Sequence, residues 1–133
     1  MKILVLNGSP HKNGNTTALV DAFKKGAEEA GHEVVVCPVG TMKINGCLGC
    51  EYCHTKGEGT CIQKDDMAKV MPAYLEADMI VYASPIYYFA MTAQLMAAMQ
   101  RVYAIGKCLA HGGGAALARA SVKNRNLHTA PLS

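Results

Sequence analysis

The chain holds no acidic residue after Asp78. All ten Asp and Glu lie within residues 1–78 with eight of the thirteen Lys and Arg, and the remaining positions carry five cations and no anion. Those cations are scattered rather than gathered on one face, so the net charge of +3 carries no nucleic-acid footprint. Long hydrophobic runs are also missing. Half of the residues are hydrophobic, yet no apolar run approaches the roughly eighteen residues that a bilayer-spanning helix needs, and the chain opens on a strand pattern rather than a signal peptide. A soluble, cytoplasmic protein without membrane contact is expected. At 133 residues the chain is expected to form one domain, 1–133, large enough to bury a core.

Two common nucleotide fingerprints are absent from the most informative stretch, NGSPHKNGNTT at residues 7–17. A Walker A loop needs Lys directly after its second glycine, and Gly14 is followed by Asn15; the dinucleotide fingerprint needs a second glycine two positions after the first, and Gly8 lacks one. What is present is an apolar run, KILVL at residues 2–6, then a Gly- and hydroxyl-rich turn, then a helical pattern. Backbone N–H groups in the first turn of a helix have no partner inside it and lie at the positive end of its dipole, so an anion placed there gains bonds and charge together. Ser9, Asn15, Thr16 and Thr17 add short donors, His11 and Lys12 lie in the loop, and no carboxylate precedes Asp21. The stretch suits a terminal phosphate monoester held mostly by neutral donors. An ordinary strand-to-helix turn is the alternative.

The rest of the chain alternates between periods of two kinds. After the strand at residues 2–6, a helical stripe of Ala18, Leu19, Ala22, Phe23, Gly26, Ala27 and Ala30 runs to a stop at Gly31. A second strand is expected over 33–39 with Pro38 marking its end, and a third over 79–83, MIVYA. Between them lie a long unpatterned segment, 40–64, and a helix over 65–78 that Asp65 or Asp66 can cap and that Pro72 interrupts or begins. Strand, helix, strand, helix, strand predicts an α/β fold with a parallel sheet. Open sheets of this kind bind ligands at the carboxyl ends of their strands, where the loops after the first and third strands meet. The second of these, SPIYYF at residues 84–89, brings Pro85, Tyr87, Tyr88 and Phe89, flat apolar surfaces suited to a planar ring; a core or interface role is the alternative. A Met-rich helix follows over 92–103, expected to pack on the sheet or to serve a homodimer contact. Residues 115–122 are a candidate fourth strand, and 107–133 form an atypical tail.

Of the six cysteines, four are bunched as Cys47-x2-Cys50-x2-Cys53-x7-Cys61 within the segment 40–64. Overlapping two-residue spacings let sulfurs converge on one soft-metal centre, and Cys61 could close a single cubane. A 4Fe–4S cluster, a structural zinc site and free thiols all stay open, zinc knuckles normally using two separated pairs. His54, beside Cys53, could substitute as a ligand or stand as a solvated loop histidine. Cys37 reads as a small buried hydrophobe, and Cys108 has no assigned role.

GSPHKNGNTT together with SPIYYF resembles the two flavin loops of the NAD(P)H-dependent FMN reductase family, and the cysteine cluster narrows the resemblance to its iron–sulfur flavoproteins. The similarity covers about residues 1–106. It implies a flavodoxin-like three-layer sandwich with a parallel sheet, FMN as cofactor, NAD(P)H as co-substrate and a 4Fe–4S cluster on Cys47, Cys50, Cys53 and Cys61. By position, Ser9, His11, Asn15, Thr16 and Thr17 would contact the FMN phosphate, and Pro85, Ile86, Tyr87, Tyr88 and Phe89 the ring. His11 stands where relatives commonly carry arginine, which makes charge assistance dependent on pH. The implied function is electron transfer from reduced nicotinamide through FMN to the cluster or to a small-molecule or protein acceptor, in a homo-oligomer. A non-catalytic FMN or iron–sulfur carrier is the alternative, and a remnant that binds nothing a third. MAAMQR at residues 96–101 departs from the charged LKAFIDR-like stretch of relatives. With the acid-free second half, it leads to the expectation that the C-terminal end is shortened and the sheet incomplete in the monomer or completed by a partner.

Overall fold

A computed structural model describes residues 1–111 and 114–119. Its centre is strand β1 (Lys2–Asn7), flanked by parallel neighbours β2 (Glu33–Cys37) and β3 (Met79–Ala83) in the order β2-β1-β3. Ile3 stands opposite Val34 on one side and Met79 on the other. Alternation along β1 supplies both faces. Ile3 and Val5 pack with Val34 and with Val20 of helix α1 (Asn15–Glu29), whereas Leu4 and Leu6 join a second cluster that includes Val39, Met67, Val70, Leu95 and Ala98. Helices therefore cover the sheet on both sides, and the fold is a flavodoxin-like three-layer α/β sandwich. Each fully buried aliphatic side chain stabilises it by about 1.5–3 kcal/mol, which explains why an unbroken apolar run occupies the middle strand.

Local chemistry sets where elements stop. Helix α1 ends as expected at Gly31, whose φ of +85° is left-handed and whose N–H donates to the Glu28 carbonyl while that of His32 donates to Ala27. Strand β2 is shorter than the expected 33–39, because Pro38 has no N–H to give a ladder and the chain turns into a 3-10 helix at Val39–Thr41. A four-residue helix α2 (Tyr52–Thr55) interrupts the otherwise irregular segment before α3 (Met67–Glu76). Asp65 supplies the cap of α3, its Oδ1 accepting from the Met67 N–H at 3.1 Å. Pro72 lies inside α3, so the carbonyl of Ala68 has no helical N–H four residues on.

After β3 comes a short antiparallel hairpin, β4 (Ile86–Tyr87) and β5 (Ala90–Met91), and then α4 (Ala93–Arg101), which tightens into a 3-10 turn at Val102–Ile105. The candidate fourth strand over 115–122 is a strand in its described part but lies outside the parallel sheet. Strand β7 (Gly114–Arg119) pairs antiparallel with β6 (Gly106–His111) in a two-stranded sheet of its own and does not extend the parallel sheet. With only two residues between them, neighbouring strands can pair antiparallel without a crossover; residues 120–122 of the candidate lie outside the described residues. No helix among the described residues is long and apolar enough to cross a membrane.

Candidate functional site

The loops that leave β1 and β3 are tied together at the carboxyl edge of the sheet. The Gly8 N–H donates to the Ala83 carbonyl at 2.8 Å, the buried Thr92 hydroxyl donates to the Gly8 carbonyl at 2.7 Å, and the Thr92 N–H donates to Ser84 Oγ at 2.9 Å. Gly8 is required for this approach, since a Cβ there would stand 2.6 Å from the Leu95 Cβ and 2.8 Å from Thr92 Oγ1. A third segment closes in from β2: a Cβ on Gly40 would lie 2.2 Å from the Ser9 carbonyl oxygen. The turn after β2 thus presses directly on the backbone of the first loop.

Within that loop the side chains of Asn7, Ser9 and Thr17 are spent on its own geometry. Ser9 is buried, its N–H donating to Asn7 Oδ1 at 3.0 Å and its Oγ accepting from the His11 N–H at 3.2 Å. Thr17 Oγ1 donates to the His11 carbonyl at 3.3 Å and accepts from Asn7 Nδ2 at 3.2 Å. The amides at the start of α1 are treated differently. Its N-cap is Gly14, which offers no side chain, and no acidic residue stands in its first turn. Its first-turn N–H groups thus have neither a side-chain cap nor a nearby carboxylate, an arrangement that suits an anion. His11 and Asn15 are exposed, and Thr16 and Thr17 half-buried, around that helix start.

The second loop presents aromatic surface outward. Tyr88 and Phe89 sit at the tip of the β4–β5 hairpin with φ of 46° and 65°, are 95 % and 94 % exposed, and meet edge to face at 5.5 Å between ring centroids. Left-handed backbone at residues other than glycine costs about 1–3 kcal/mol each. Ile86 and Tyr87 are exposed as well, while Pro85 is half-buried. This exposure removes the core alternative for Tyr87, Tyr88 and Phe89.

The cysteine segment is wound tightly and fastened at its base. Gly49, Glu51, Glu58 and Gly59 all have positive φ, and a Cβ on Gly57 would meet the Thr60 carbonyl at 2.3 Å. Cys47 and Cys50 are exposed, Cys61 is half-buried and Cys53 is buried. Burial raises the Cys53 pKa, and the charges of Cys61, Glu51 and Cys47 add to the rise against an opposing backbone hydrogen bond. Among the described residues no three His, Cys, Asp or Glu side chains converge as a metal-holding group. The four thiols suit a soft metal in kind but are not gathered around a common centre. His54 is not simply solvated, because its Nε2 lies 2.9 Å from the Tyr103 carbonyl and its ring meets the Tyr103 ring edge-on at 4.6 Å. The Tyr103 hydroxyl donates to Glu51 Oε1 at 2.8 Å, a bond that raises the phenol's pKa.

The base is held by Arg101, which is 2 % exposed. Its Nη1 donates to Asp65 Oδ2 at 2.5 Å and to the Asn45 carbonyl at 3.1 Å, and its Nη2 to the Gln63 carbonyl at 3.4 Å. Burial acts to raise the Asp65 pKa, but the bond from Arg101 and the amides of Asn45 and Met67 outweigh it and leave the carboxyl below its ordinary value. Sequence reading missed this pair, since nothing local links residues 65 and 101, and it missed Gly40. Thr92 carried a readable signal, a threonine directly before a helical pattern, and its Oγ1 accepts from the Leu95 N–H at 3.3 Å as a cap.

The sequence profile of the NADPH-dependent FMN reductases matches residues 1–128. This chain belongs to the NADPH-dependent FMN reductase family. An iron-sulfur flavoprotein of Archaeoglobus fulgidus is 40 % identical over 106 residues, which are 80 % of this chain and 47 % of that protein. The chain spans about half the length of the curated relatives it matches. Two solved structures share the fold at 22 % identity and a TM-score of 0.62. One is RosB with a bound 8-demethyl-8-formylriboflavin-5'-phosphate intermediate, matched over 77 % of this chain and 42 % of RosB. The other is an NAD(P)H:quinone oxidoreductase from Methanothermobacter marburgensis, matched over 77 % and 53 %.

Proposed function

We propose that this chain binds FMN and acts as a flavin-dependent oxidoreductase of the FMN reductase type, with NAD(P)H as electron donor. The observation that carries the reading is the uncapped start of α1, placed beside an outward aromatic hairpin by the Gly8–Ala83 and Thr92–Gly8 bonds. Amides of residues 15–17 with the hydroxyl of Thr16 would hold the phosphate, Asn7, Ser9 and Thr17 would keep that cradle in shape, and His11 would stand beside it. Pro85, Ile86, Tyr87, Tyr88 and Phe89 would flank the ring. FMN, when bound, supplies hydride acceptance and the return of electrons singly or in pairs. The residues' part is placement, since hydride transfer depends on stacking and distance more than on a side-chain acid or base.

Onward transfer to a small-molecule or protein acceptor, and a homo-oligomer joined near the exposed hairpin, belong to the same proposal. A 4Fe–4S cluster on Cys47, Cys50, Cys53 and Cys61 is supported by their spacing and by the relatives' names, and opposed by the separation of the thiols, so no step is routed through it. Anaerobic purification followed by FMN, iron and sulfide analysis and by NADPH oxidation tests the whole. Flavin absorption with NADPH oxidation is the expected result. Bound FMN without oxidation would move the protein to the carrier reading, and a colourless protein that takes up no added FMN would end both.

A further inference from the structure

The cysteine loop is joined to the body of the protein at its ends by Arg101 and in its middle by Tyr103, which meets His54 and Glu51. Under the arm formed by Glu58, Gly59, Thr60 and Cys61, a half-open cavity of about 320 Å³ separates the loop from Met71 and Leu75 of α3. The arm therefore has little packing beneath it. What fixes it is a set of bonds around Arg101: to the carbonyls of Asn45 and Gln63, one on each side of the loop, and to Asp65, whose Oδ2 also accepts from the Asn45 N–H at 3.0 Å. Two neighbours help close the ring. Gln63 Nε2 donates to the Gly46 carbonyl at 3.0 Å, and Gln100 Oε1 accepts from the Cys47 N–H at 3.3 Å.

Arg101 lines the cavity together with Cys61. Its Nε is the one buried side-chain nitrogen or oxygen among the described residues with no hydrogen-bond partner. Buried donors left unpaired are costly, and the thiol sulfur of Cys61, which lines the same cavity, is a weak acceptor.

We infer that Arg101 is the positioning residue of the cysteine loop: it clamps both ends and so sets where Cys61 stands beside the cavity. Its consequence is that thiol chemistry at Cys47, Cys53 and Cys61 depends on a side chain of α4 that is not itself a ligand. The soft-ion arm of the test rests on the thiol-site reading above, and the alkylation arm does not.

The experiment uses the full chain with Arg101→Met, Arg101→Lys and the milder Gln63→Ala. Iodoacetamide labelling, read cysteine by cysteine by mass spectrometry, is expected to speed up at buried Cys53 by at least about tenfold in Arg101→Met and less in Gln63→Ala, with Cys37 on β2 within about twofold. Cadmium affinity, read from thiolate-to-metal absorption, is expected to fall about tenfold or more in Arg101→Met and to recover in part in Arg101→Lys, which keeps the charge but not the fork. Unchanged Cys53 labelling in folded Arg101→Lys and Gln63→Ala overturns the inference, as does parallel acceleration at Cys37, which means general loosening. If the unaltered chain takes up no cadmium, the thiol-site reading falls and labelling alone decides the clamp.

Discussion

The loop at residues 7–17 and the loop at residues 46–62 both hang from the same sheet, yet they are held by different bonds. The first is fastened along its whole length by its own short polar side chains, Asn7, Ser9 and Thr17, and by three backbone approaches from β3, α4 and the turn after β2. The second is fastened at its two ends by one buried guanidinium and in its middle by Tyr103, with the arm of residues 58–61 over a cavity. Only the first has a set of donors already aimed at a ligand. Preorganisation lowers the cost of binding, so on the proposed reading the first loop would take a phosphate as it stands, whereas the second would have to rearrange for its thiols to share a centre.

The sharpest way to break the comparison is at the clamp. Asp65→Ala removes the partner of a buried Arg101 and the cap of α3 together, and breaking a buried pair from one side costs about 3–5 kcal/mol. Urea unfolding followed by circular dichroism is expected to show a loss of that size. If the loss is under about 1 kcal/mol, the guanidinium is not holding the loop. The matching test on the first loop is Gly40→Ala. Its Cβ meets the backbone at Ser9 and Gly8 rather than a flexible side chain, so overpacking of about 1–3 kcal/mol is expected, together with FMN binding weakened at least about tenfold in a fluorescence titration. Weakened FMN binding from Asp65→Ala, or none from Gly40→Ala, would show that the two loops do not act separately.

How much of this could be read from residues alone depends on the range of the interaction. Strand β3 was legible to the residue because MIVYA is a short apolar run bounded by a charge and by Ser-Pro, and the end of α1 because Gly31 needs a positive φ. The alternation also gave a parallel sheet and the meeting of the two loops at its edge. Hairpin β4–β5 was not legible, since its turn residues are Tyr88 and Phe89, large aromatics that strand and turn statistics do not place in left-handed backbone. Gly40 looked like the start of an irregular stretch, and its role depends on a backbone thirty residues earlier. The Arg101–Asp65 pair joins a helix to a loop with no shared period, and a spacing rule for cysteines reports which thiols could meet without saying whether the backbone brings them together.

A smaller effect separates the bond between the loops from the loops themselves. Thr92→Val keeps the shape of the side chain but loses its bond to the Gly8 carbonyl and its cap on α4, each worth about 1 kcal/mol. A loss of about 1–2 kcal/mol in urea is expected, with Thr92→Ser restoring most of it. FMN affinity should fall in step in Thr92→Val, because the carbonyl it releases lies one residue before Ser9.

The smallest effect is a dependence on pH that belongs to the clamp alone. The folded-state pKa of Asp65 lies below its ordinary value, since the bonds from Arg101, Asn45 and Met67 outweigh burial. A carboxyl with a depressed folded pKa adds stability above its unfolded value, about 3.9, and that stability is lost as pH falls through the folded value. Unfolding free energy should therefore owe nothing to Asp65 titration between pH 7 and about 5 and should fall below about 4. Asp66 titrates in the same window, its pKa lowered by Lys69 and the Lys43 amide, so the wild-type slope alone does not identify the clamp. Asp65→Asn isolates it: the remaining slope below pH 4 should be shallower than in the unaltered chain, while labelling of Cys53 at neutral pH should be faster. An identical acid slope in the variant would place the proton uptake elsewhere and leave Arg101 paired through its carbonyl contacts rather than through charge.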